Sequence, residues 1–399
     1  MLVGLIGKPN TGKSSFFNAA TLLDVPVANY PFTTIQPNVG VAYIVTKCVH
    51  QELGVTDNPR NSLCVNGIRY IPVKLVDVAG LIPDASKGLG LGNKFLDDLR
   101  RADALIHVVD ASGSTDKEGR VVEPGSHDPL EDVAFIEKEY DAWIAGILKK
   151  DWDKISHIQD QSKVRDVIVE KLAGLGMTAA DFGEAIRKAG LTQKKIQDWS
   201  DDDIFGFSSE LRKSAKPILI AANKCDLPAS RANIERLNKT GRLVIPVSAA
   251  AEMILRKAAQ KGVIEYVPGS STFKVKEGIQ LSAEQERALR FVEESVLKKW
   301  GNTGVQQALN DAYFKLLGGV VVYPVEDENR YSDKNGNVLP DAYIVPRGST
   351  ARDLAFKIHT ELGEGFLYAI DAKRKQRLGA DHILKEDDVI KIVSTSRRA

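Results

Sequence analysis

An α/β fold on a mainly parallel sheet, interrupted by a helical insertion and followed by a small second sheet, is what this sequence predicts. Three observations lead to it. Short apolar runs alternate with helical stretches near the amino terminus and again after residue 216. Asn223 follows Asp77 by 146 positions, where one or two strand-helix-strand steps of ~30 residues each would suffice. The last ~80 residues change character once more.

Taken in order, Leu2 to Ile6 is a short apolar run, followed by a glycine-punctuated turn and then Lys13 to Leu23 with helical composition. That reads as strand, loop, helix. Further buried strands are expected at Ile71 to Val76, Ala104 to Val109, Ile218 to Ala222 and Leu243 to Val247, with a helix at Lys94 to Arg101. Gly113 to Pro129 reads as a loop leading into the insertion. Within residues 130 to 215, Val133, Ile136, Tyr140, Trp143, Ile144 and Ile147 form one stripe of helical period, and Val164, Ile168 and Leu172 another. Beyond Ser248 a helix is expected near Glu252 to Lys261, then a second opening with the capping box Ser282-Ala283-Glu284-Gln285 and running to Trp300. The tail reads as strand (Val320 to Val325), turn, strand (Ala342 to Val345), helix (Thr350 to Leu362), strand (Phe366 to Ile370), turn and strand (Val389 to Val393). The domains expected are therefore 1–129 with 216–318, an insertion over 130–215, and a small α+β domain over 319–399.

Composition excludes several classes. The 399 residues are 43% apolar and 27% charged, with net charge +1, so no global field draws the chain to nucleic acid or an anionic membrane. Three cysteines cannot build a disulfide framework, and no apolar run approaches the ~18 residues of a membrane span. A reduced cytoplasm is the expected location, with no membrane partner. From Asp128 to Ala215 there are 13 basic and 18 acidic residues, which disfavours phosphate binding by the insertion as a whole.

The chemistry concentrates in four places. Gly7-Lys8-Pro9-Asn10-Thr11-Gly12-Lys13-Ser14, with Ser15 next, satisfies G-x-x-x-x-G-K-[ST] after a strand and at the start of a helix. There backbone N–H groups wrap phosphates, Lys13 neutralises the β and γ oxygens, and the Ser14 hydroxyl ligates Mg²⁺. Asp77-Val78-Ala79-Gly80 sits at a strand's carboxyl end, where its carboxylate serves Mg²⁺ and the Gly80 N–H reaches the γ-phosphate. Asn223-Lys224-Cys225-Asp226 follows another strand; Asp226 accepts from the ring N–H and exocyclic amine of guanine, a donor pair adenine lacks on that edge. Ser248-Ala249-Ala250 offers backbone contact to the base.

In this order, the motifs resemble the translation-factor class of GTPases. Ala28-Asn29-Tyr30-Pro31-Phe32-Thr33-Thr34-Ile35-Gln36-Pro37-Asn38-Val39-Gly40 is similar to switch I of the Obg-related proteins, and Asp77 to Ile82 with Gly88-Leu89-Gly90-Leu91-Gly92 to their switch II. The resemblance is closest to the YchF-type branch, with its helical insertion and carboxyl-terminal TGS domain of ubiquitin-like fold. Gly348 to Ala355 and Gly365 to Ala369 look like that module. It implies that Thr34 closes over Mg²⁺, that Asn10 coordinates an activating K⁺, and that GTP and GDP are the ligands. A ribosome, ribosomal RNA or transfer RNA is the implied partner. Leu81 stands where many GTPases keep a water-orienting glutamine. Members of this branch also accept ATP, so an ATPase, or a nucleotide-gated RNA- or ribosome-binding protein with negligible turnover, remain rival expectations.

Other residues are read more plainly. Lys373, Arg374, Lys375 and Arg377 form a basic cluster, either a solvated turn or an RNA contact. Cys48, His50 and Cys64 offer metal ligands, but no fourth stands at finger-like spacing, so zinc is not expected. His107 is expected to be a strand histidine, the Tyr140 and Trp143 stripe to be core, and Cys225 to be a spacer.

Overall fold

The structure, a computed structural model, describes residues 1–22, 38–78 and 100–395. Strand β1 (Leu2–Ile6) opens the chain and passes through the phosphate loop into helix α1 (Lys13–Thr21). Strands β2 (Val39–Lys47), β3 (Leu63–Val65), β4 (Ile68–Asp77), β5 (Ala104–Asp110), β6 (Ile218–Asn223) and β7 (Val244–Pro246) complete a seven-stranded sheet. Its order is β2-β4-β1-β5-β6-β7, with β3 beside β4. The β4, β1, β5, β6 and β7 strands run parallel. Strands β2 and β3 lie antiparallel to β4 and form the edge, which the sequence reading omitted. The β-branched run Val39 to Thr46 was its available signal. The helix expected over Lys94 to Arg101 falls, apart from its last two residues, outside the described residues.

Helix α2 (His50–Leu53) joins β2 to β3. The insertion is helical as expected. Helix α3 (Pro129–Lys149) starts where Asp128 accepts from Leu130 N, with proline at its first position and Glu131 and Asp132 complementing the helix dipole. Helices α4 (Trp152–Ser156), α5 (Gln161–Leu172), α6 (Ala179–Lys188) and α7 (Asp201–Ala215) follow; Thr178 with Asp181, and Ser200 with Asp203, form capping boxes at the last two. The insertion has no core apart from the sheet. Ile136, Tyr140 and Ile144 of α3 join Ile6, Val76, Val78 and Leu105 in one apolar cluster, and a buried Arg212–Asp141 pair (2.6 Å) binds α7 to α3. The Tyr140 stripe is thus core, with Trp143 at its margin.

Helices α8 (Ser230–Asn238) and α9 (Ala249–Gln260) alternate with β6 and β7, and the small β8 (Ile264–Glu265) and β9 (Lys274–Val275) pair follows. The Ser282 capping box opens α10 (Ala283–Val292), which continues through a π turn to Trp300. Helix α11 (Val305–Asp311) leads into the second sheet.

That sheet contains β10 (Gly319–Val325), β11 (Tyr343–Pro346), β12 (Phe366–Asp371), β13 (Gln376–Leu378) and β14 (Asp388–Ser394), in the order β11-β10-β14-β12-β13. Helices α12 (Ala351–Ile358) and α13 (Thr360–Glu364) connect β11 to β12. Strand β10 shows why the tail cannot float free. Val320 and Val322 pack under Ala351 and Leu354, while Val321, Tyr323 and Val325 point the other way into the cluster holding Phe16, Ile44 and Leu75.

His107 lies in the middle of β5 and is 1% exposed. Burial pushes its imidazole down to about 4, the nearby Glu137 opposing and Lys8 reinforcing the shift. Since the unfolded chain takes up the proton near 6.5, stability should fall as pH is lowered from about 6.5 to about 4 and this contribution should level off below. Urea unfolding across that range should show a shallower slope for His107→Gln than for the parent; identical slopes would remove the buried neutral imidazole.

Candidate nucleotide site

The parallel strands end together, and that edge gathers the motifs. Leu5 of β1 is in register with Asp77 of β4, and Asp110 of β5 with Asn223 of β6. In open α/β sheets ligands bind beyond the carboxyl ends of the strands.

The phosphate loop is shaped by close approach. Gly7 (φ +154°) leaves room for Val108 O, which an added Cβ would meet at 2.5 Å, and Gly12 (φ +73°) leaves the same space for Asn223 Nδ2. Gly12 precedes α1 without any side-chain cap, so the first N–H groups of the helix stay available to an anion. Thr11 is buried and closes the loop on itself through Oγ1 to Lys8 O (3.1 Å). Ser14 and Ser15 are exposed at the helix start. Lys13 Nζ lies 2.5 Å from Asp77 Oδ1, so the two groups expected to serve phosphate and Mg²⁺ hold each other.

The Asn223 amide makes the central junction. Its Nδ2 donates to Thr11 O (2.8 Å) and Gly12 O (3.3 Å), and its Oδ1 accepts from Ala249 N (3.1 Å). Three loops are joined by one side chain. Cys225 is buried, as a spacer should be, and Trp300 Nε1 donates to its carbonyl (3.1 Å), clamping the base motif from α10's extension. Among the described residues no hydrogen bond or ion pair engages the Asp226 carboxylate.

Several expected contacts are placed differently. The Lys8 side chain is buried away from the phosphate cradle, 2.8 Å from Asp132 Oδ2 in α3 and donating to Thr115 O (2.9 Å), so only its backbone lines the loop. Its ammonium follows the nearest buried carboxylate. Pro9 is exposed and brings no N–H. Asn10 (φ +61°) donates through Nδ2 to Gly119 O (2.8 Å), and its Oδ1 makes no hydrogen bond among the described residues. Ser248 caps α9 by accepting from Ala251 N (3.2 Å), and the Ala249 N–H is taken by Asn223; of the three residues expected to touch the base, Ala250 is the exposed one. Thr34, Gly80 and Leu81 lie outside the described residues.

Sequence reasoning missed the loop after β5. Burial alone would raise the Asp110 carboxyl, but hydrogen bonds from Ser112, Lys224 and Ser114 outweigh it and hold the group below the usual carboxylate range. Lys224 of the base motif is thus anchored to β5 (Nζ to Asp110 Oδ2, 2.9 Å). The signal was present: an aspartate ending an apolar strand, followed by Ala111-Ser112-Gly113-Ser114-Thr115. His127, which donates through Nε2 to Asp132 Oδ1 (2.8 Å), completes the buried Lys8 pair.

The residues fit Mg²⁺: an exposed Ser14 hydroxyl, the Asp77 carboxylate and a cradle that a Cβ on Gly12 would fill stand at one mouth. The basic turn between β12 and β13 is exposed at Arg374, Lys375 and Arg377 and makes surface contacts with the rest of the chain. Lys373 pairs with Glu52 (3.0 Å), Arg374 with Asp371 (3.1 Å), Lys375 lies over Tyr331 and Arg377 over Tyr368.

Comparison with known proteins agrees with this geometry. A family model described as 50S ribosome-binding GTPase matches residues 2–134, one described as Obg-like GTPase YGR210-like, G4 motif-containing domain, matches 221–327, and the TGS domain matches 332–394. An uncharacterised GTP-binding protein of Methanocaldococcus jannaschii is 51% identical over 399 residues, spanning 99% of this chain and 100% of the relative. The chain belongs to the Obg-related GTPases, in their YchF-type branch. A ribosome-binding ATPase YchF from Mycoplasma genitalium is 26% identical with 97% of each chain covered. The crystal structure of a GTP-binding protein from Pyrococcus horikoshii matches with a TM-score of 0.76 at 45% identity, over 99% of this chain and 100% of the other. The Obg-related fold explains the helical insertion and the TGS sheet together. Among the described residues no helix is long and apolar enough to cross a membrane.

If Lys8 serves the insertion rather than phosphate, Lys8→Met should destabilise the fold by about 3 kcal/mol, because a buried carboxylate is left without its cation. Nucleotide affinity should change little. Urea unfolding and equilibrium binding together check this; a large affinity loss at unchanged stability would return the ammonium to the phosphates.

Proposed function

We propose that the protein is a Mg²⁺-dependent GTPase that hydrolyses GTP to GDP and phosphate and uses the cycle as a switch. The observation that carries the reading is the Asn223 amide joined to the phosphate loop, with Asp226 unengaged among the described residues. One rigid edge then presents phosphate-binding N–H groups and a guanine-selective carboxylate. Relatives carry both GTP-binding and ATPase in their names, so ATP is the competing substrate. Asn223, Lys224 and Asp226 favour GTP.

Attack of water on the γ-phosphorus in line with the bond to the β–γ bridging oxygen forms phosphate and releases GDP. The chain's contribution is positioning and charge stabilisation. Lys13 leaves Asp77 for the β and γ oxygens, and the N–H groups of the loop and first turn of α1 hold the phosphate chain. Mg²⁺, when bound, neutralises phosphate charge; Ser14 and Asp77 would hold it, with Thr34 added from switch I. Gly80 would meet the γ-phosphate through its N–H, and Ala250 would meet the base. Leucine at position 81 cannot orient water, so K⁺ at Asn10 or a bound partner supplies what glutamine supplies elsewhere. A ribosome is the partner that the family description and the relatives' names support; the basic turn at Lys373 to Arg377 keeps Arg374, Lys375 and Arg377 exposed, where RNA could meet them.

Single-turnover GTP hydrolysis in K⁺ and in Na⁺, with and without ribosomes, tests the reading. Turnover should be faster in K⁺, and Lys13→Ala should lose roughly 100-fold or more. A Lys13→Ala protein with unchanged turnover would remove the site assignment, and a parent protein inert under all four conditions would leave only a nucleotide-gated binding role.

A further inference from the structure

At the opposite end of β4 from Asp77, the fold gathers four side chains that the nucleotide chemistry does not use. Cys48 follows β2, His50 opens α2, Asp57 lies in the following loop and Cys64 is in β3. Their ligand atoms all lie within 4.8 Å of one another. Cys48 Sγ is 3.2 Å from Asp57 Oδ2, His50 Nδ1 is 3.4 Å from the same oxygen, and Cys64 Sγ is 3.5 Å from His50 Nδ1. We propose that Cys48, His50, Asp57 and Cys64 form a closed, tetrahedral site for a structural Zn²⁺ ion. Asp57 is the fourth ligand that sequence spacing could not supply, because it is brought in by the turn between α2 and β3.

The distances carry the assignment. With Zn–S near 2.3 Å and Zn–N or Zn–O near 2.0 Å, a regular tetrahedron has edges of roughly 3.3 to 3.8 Å. The His50–Asp57 and Cys64–His50 separations fall within that range, and the Cys48–Asp57 separation is about 0.1 Å short of it. Two thiols, an imidazole and a carboxylate suit Zn²⁺ rather than Mg²⁺ or Ca²⁺, which prefer all-oxygen shells. Four protein ligands leave no open position for a substrate, as in structural sites.

Charge also closes. Coordination releases both thiol protons to solvent, so two thiolates and a carboxylate face a divalent cation and leave one negative charge. Arg69, wholly buried, places Nη1 at 2.8 Å from Asp57 Oδ2 and 3.8 Å from Cys48 Sγ. Its guanidinium brings the sum to zero and orients the carboxylate. A carboxylate oxygen has lone pairs for both partners.

The site would have a defined structural task. Arg69 Nη2 donates to Leu339 O (2.7 Å), Asn58 N to Val338 O (2.8 Å) and Arg60 N to Pro340 O (2.6 Å), while Asn61 exchanges two hydrogen bonds with Ala342. All of these cross from the 57–69 hairpin to the carboxyl-terminal domain. An ion fixing Asp57 and Cys64 pins both ends of the segment that holds Asn58, Arg60 and Asn61, and so pins the seam. Along β4, at about 3.3 Å per residue, the cluster stands roughly 25 Å from Asp77, well clear of the nucleotide.

The test uses the full chain, reduced and stripped with chelator, then titrated with Zn²⁺ and with Co²⁺ as a spectroscopic probe. About one Zn²⁺ per chain should be retained, Co²⁺ should give thiolate charge-transfer absorption, and Zn²⁺ should raise the Tm. Cys48→Ser and Cys64→Ser should each lose the Co²⁺ signal, Cys225→Ser should keep it, and GTP affinity should be unchanged in all three as a check of folding. If the serine variants do not fold, chelation and re-addition of Zn²⁺ on the parent protein decide by the Tm change. Absent uptake in the parent, uptake surviving in the Cys48→Ser/Cys64→Ser double variant, or a Cys48–Cys64 disulfide in place of metal binding would each overturn the proposal.

Discussion

One amide holds the nucleotide edge in register. Asn223 presents a donor to the phosphate loop and an acceptor to the start of α9, so the loops after β1, β6 and β7 share a single hinge point. Only a side chain carrying both functions at one terminus can do this; a carboxylate would set an acceptor against two carbonyls, and leucine would leave buried polar groups unmet. The junction also demands Gly12, since any Cβ there would stand 2.5 Å from the amide nitrogen. The base motif and the phosphate loop, 211 residues apart, are therefore one structural unit.

Around that unit the two additions attach through buried charge. The insertion reaches the phosphate loop through Lys8 and Asp132, and α3 covers the sheet with Ile136, Tyr140 and Ile144. The carboxyl-terminal domain is joined on the far side through β10 and through Arg69. Buried pairs of this kind add little net stability over apolar packing, yet losing one partner is costly, so they fix which elements meet. The phosphate loop is thus in direct contact with α3. The carboxyl-terminal domain meets the same sheet at the opposite end of β4.

Much of this was legible in the sequence because it is local. The phosphate loop, the strand ends at Asp77 and Asn223 and the capping box at Ser282 are each written in a few adjacent residues whose physics does not depend on distant partners. What was not legible depends on where chains cross. The Lys8 ammonium goes to Asp132, 124 residues away, and nothing in the loop motif says so. Asp110 was overlooked because its partners, Ser112, Ser114 and Lys224, acquire meaning only when β5 and β6 align. The edge formed by β2 and β3 is hidden in the sequence because Val39 and Gly40 also close the stretch that resembles switch I. Asp57 could not be recognised beside Cys48, His50 and Cys64 without the fold of the hairpin.

On the proposed reading, Asp226 makes this edge a guanine site. Equilibrium titration of GTP, GDP and ATP against the parent chain and Asp226→Asn addresses it most directly. The parent should prefer GTP and GDP over ATP, and the variant should lose about 5- to 100-fold in guanine-nucleotide affinity, the worth of a buried hydrogen-bond pair. ATP binding should hardly change. Tighter ATP than GTP in the parent, or an unchanged preference in Asp226→Asn, would contradict it.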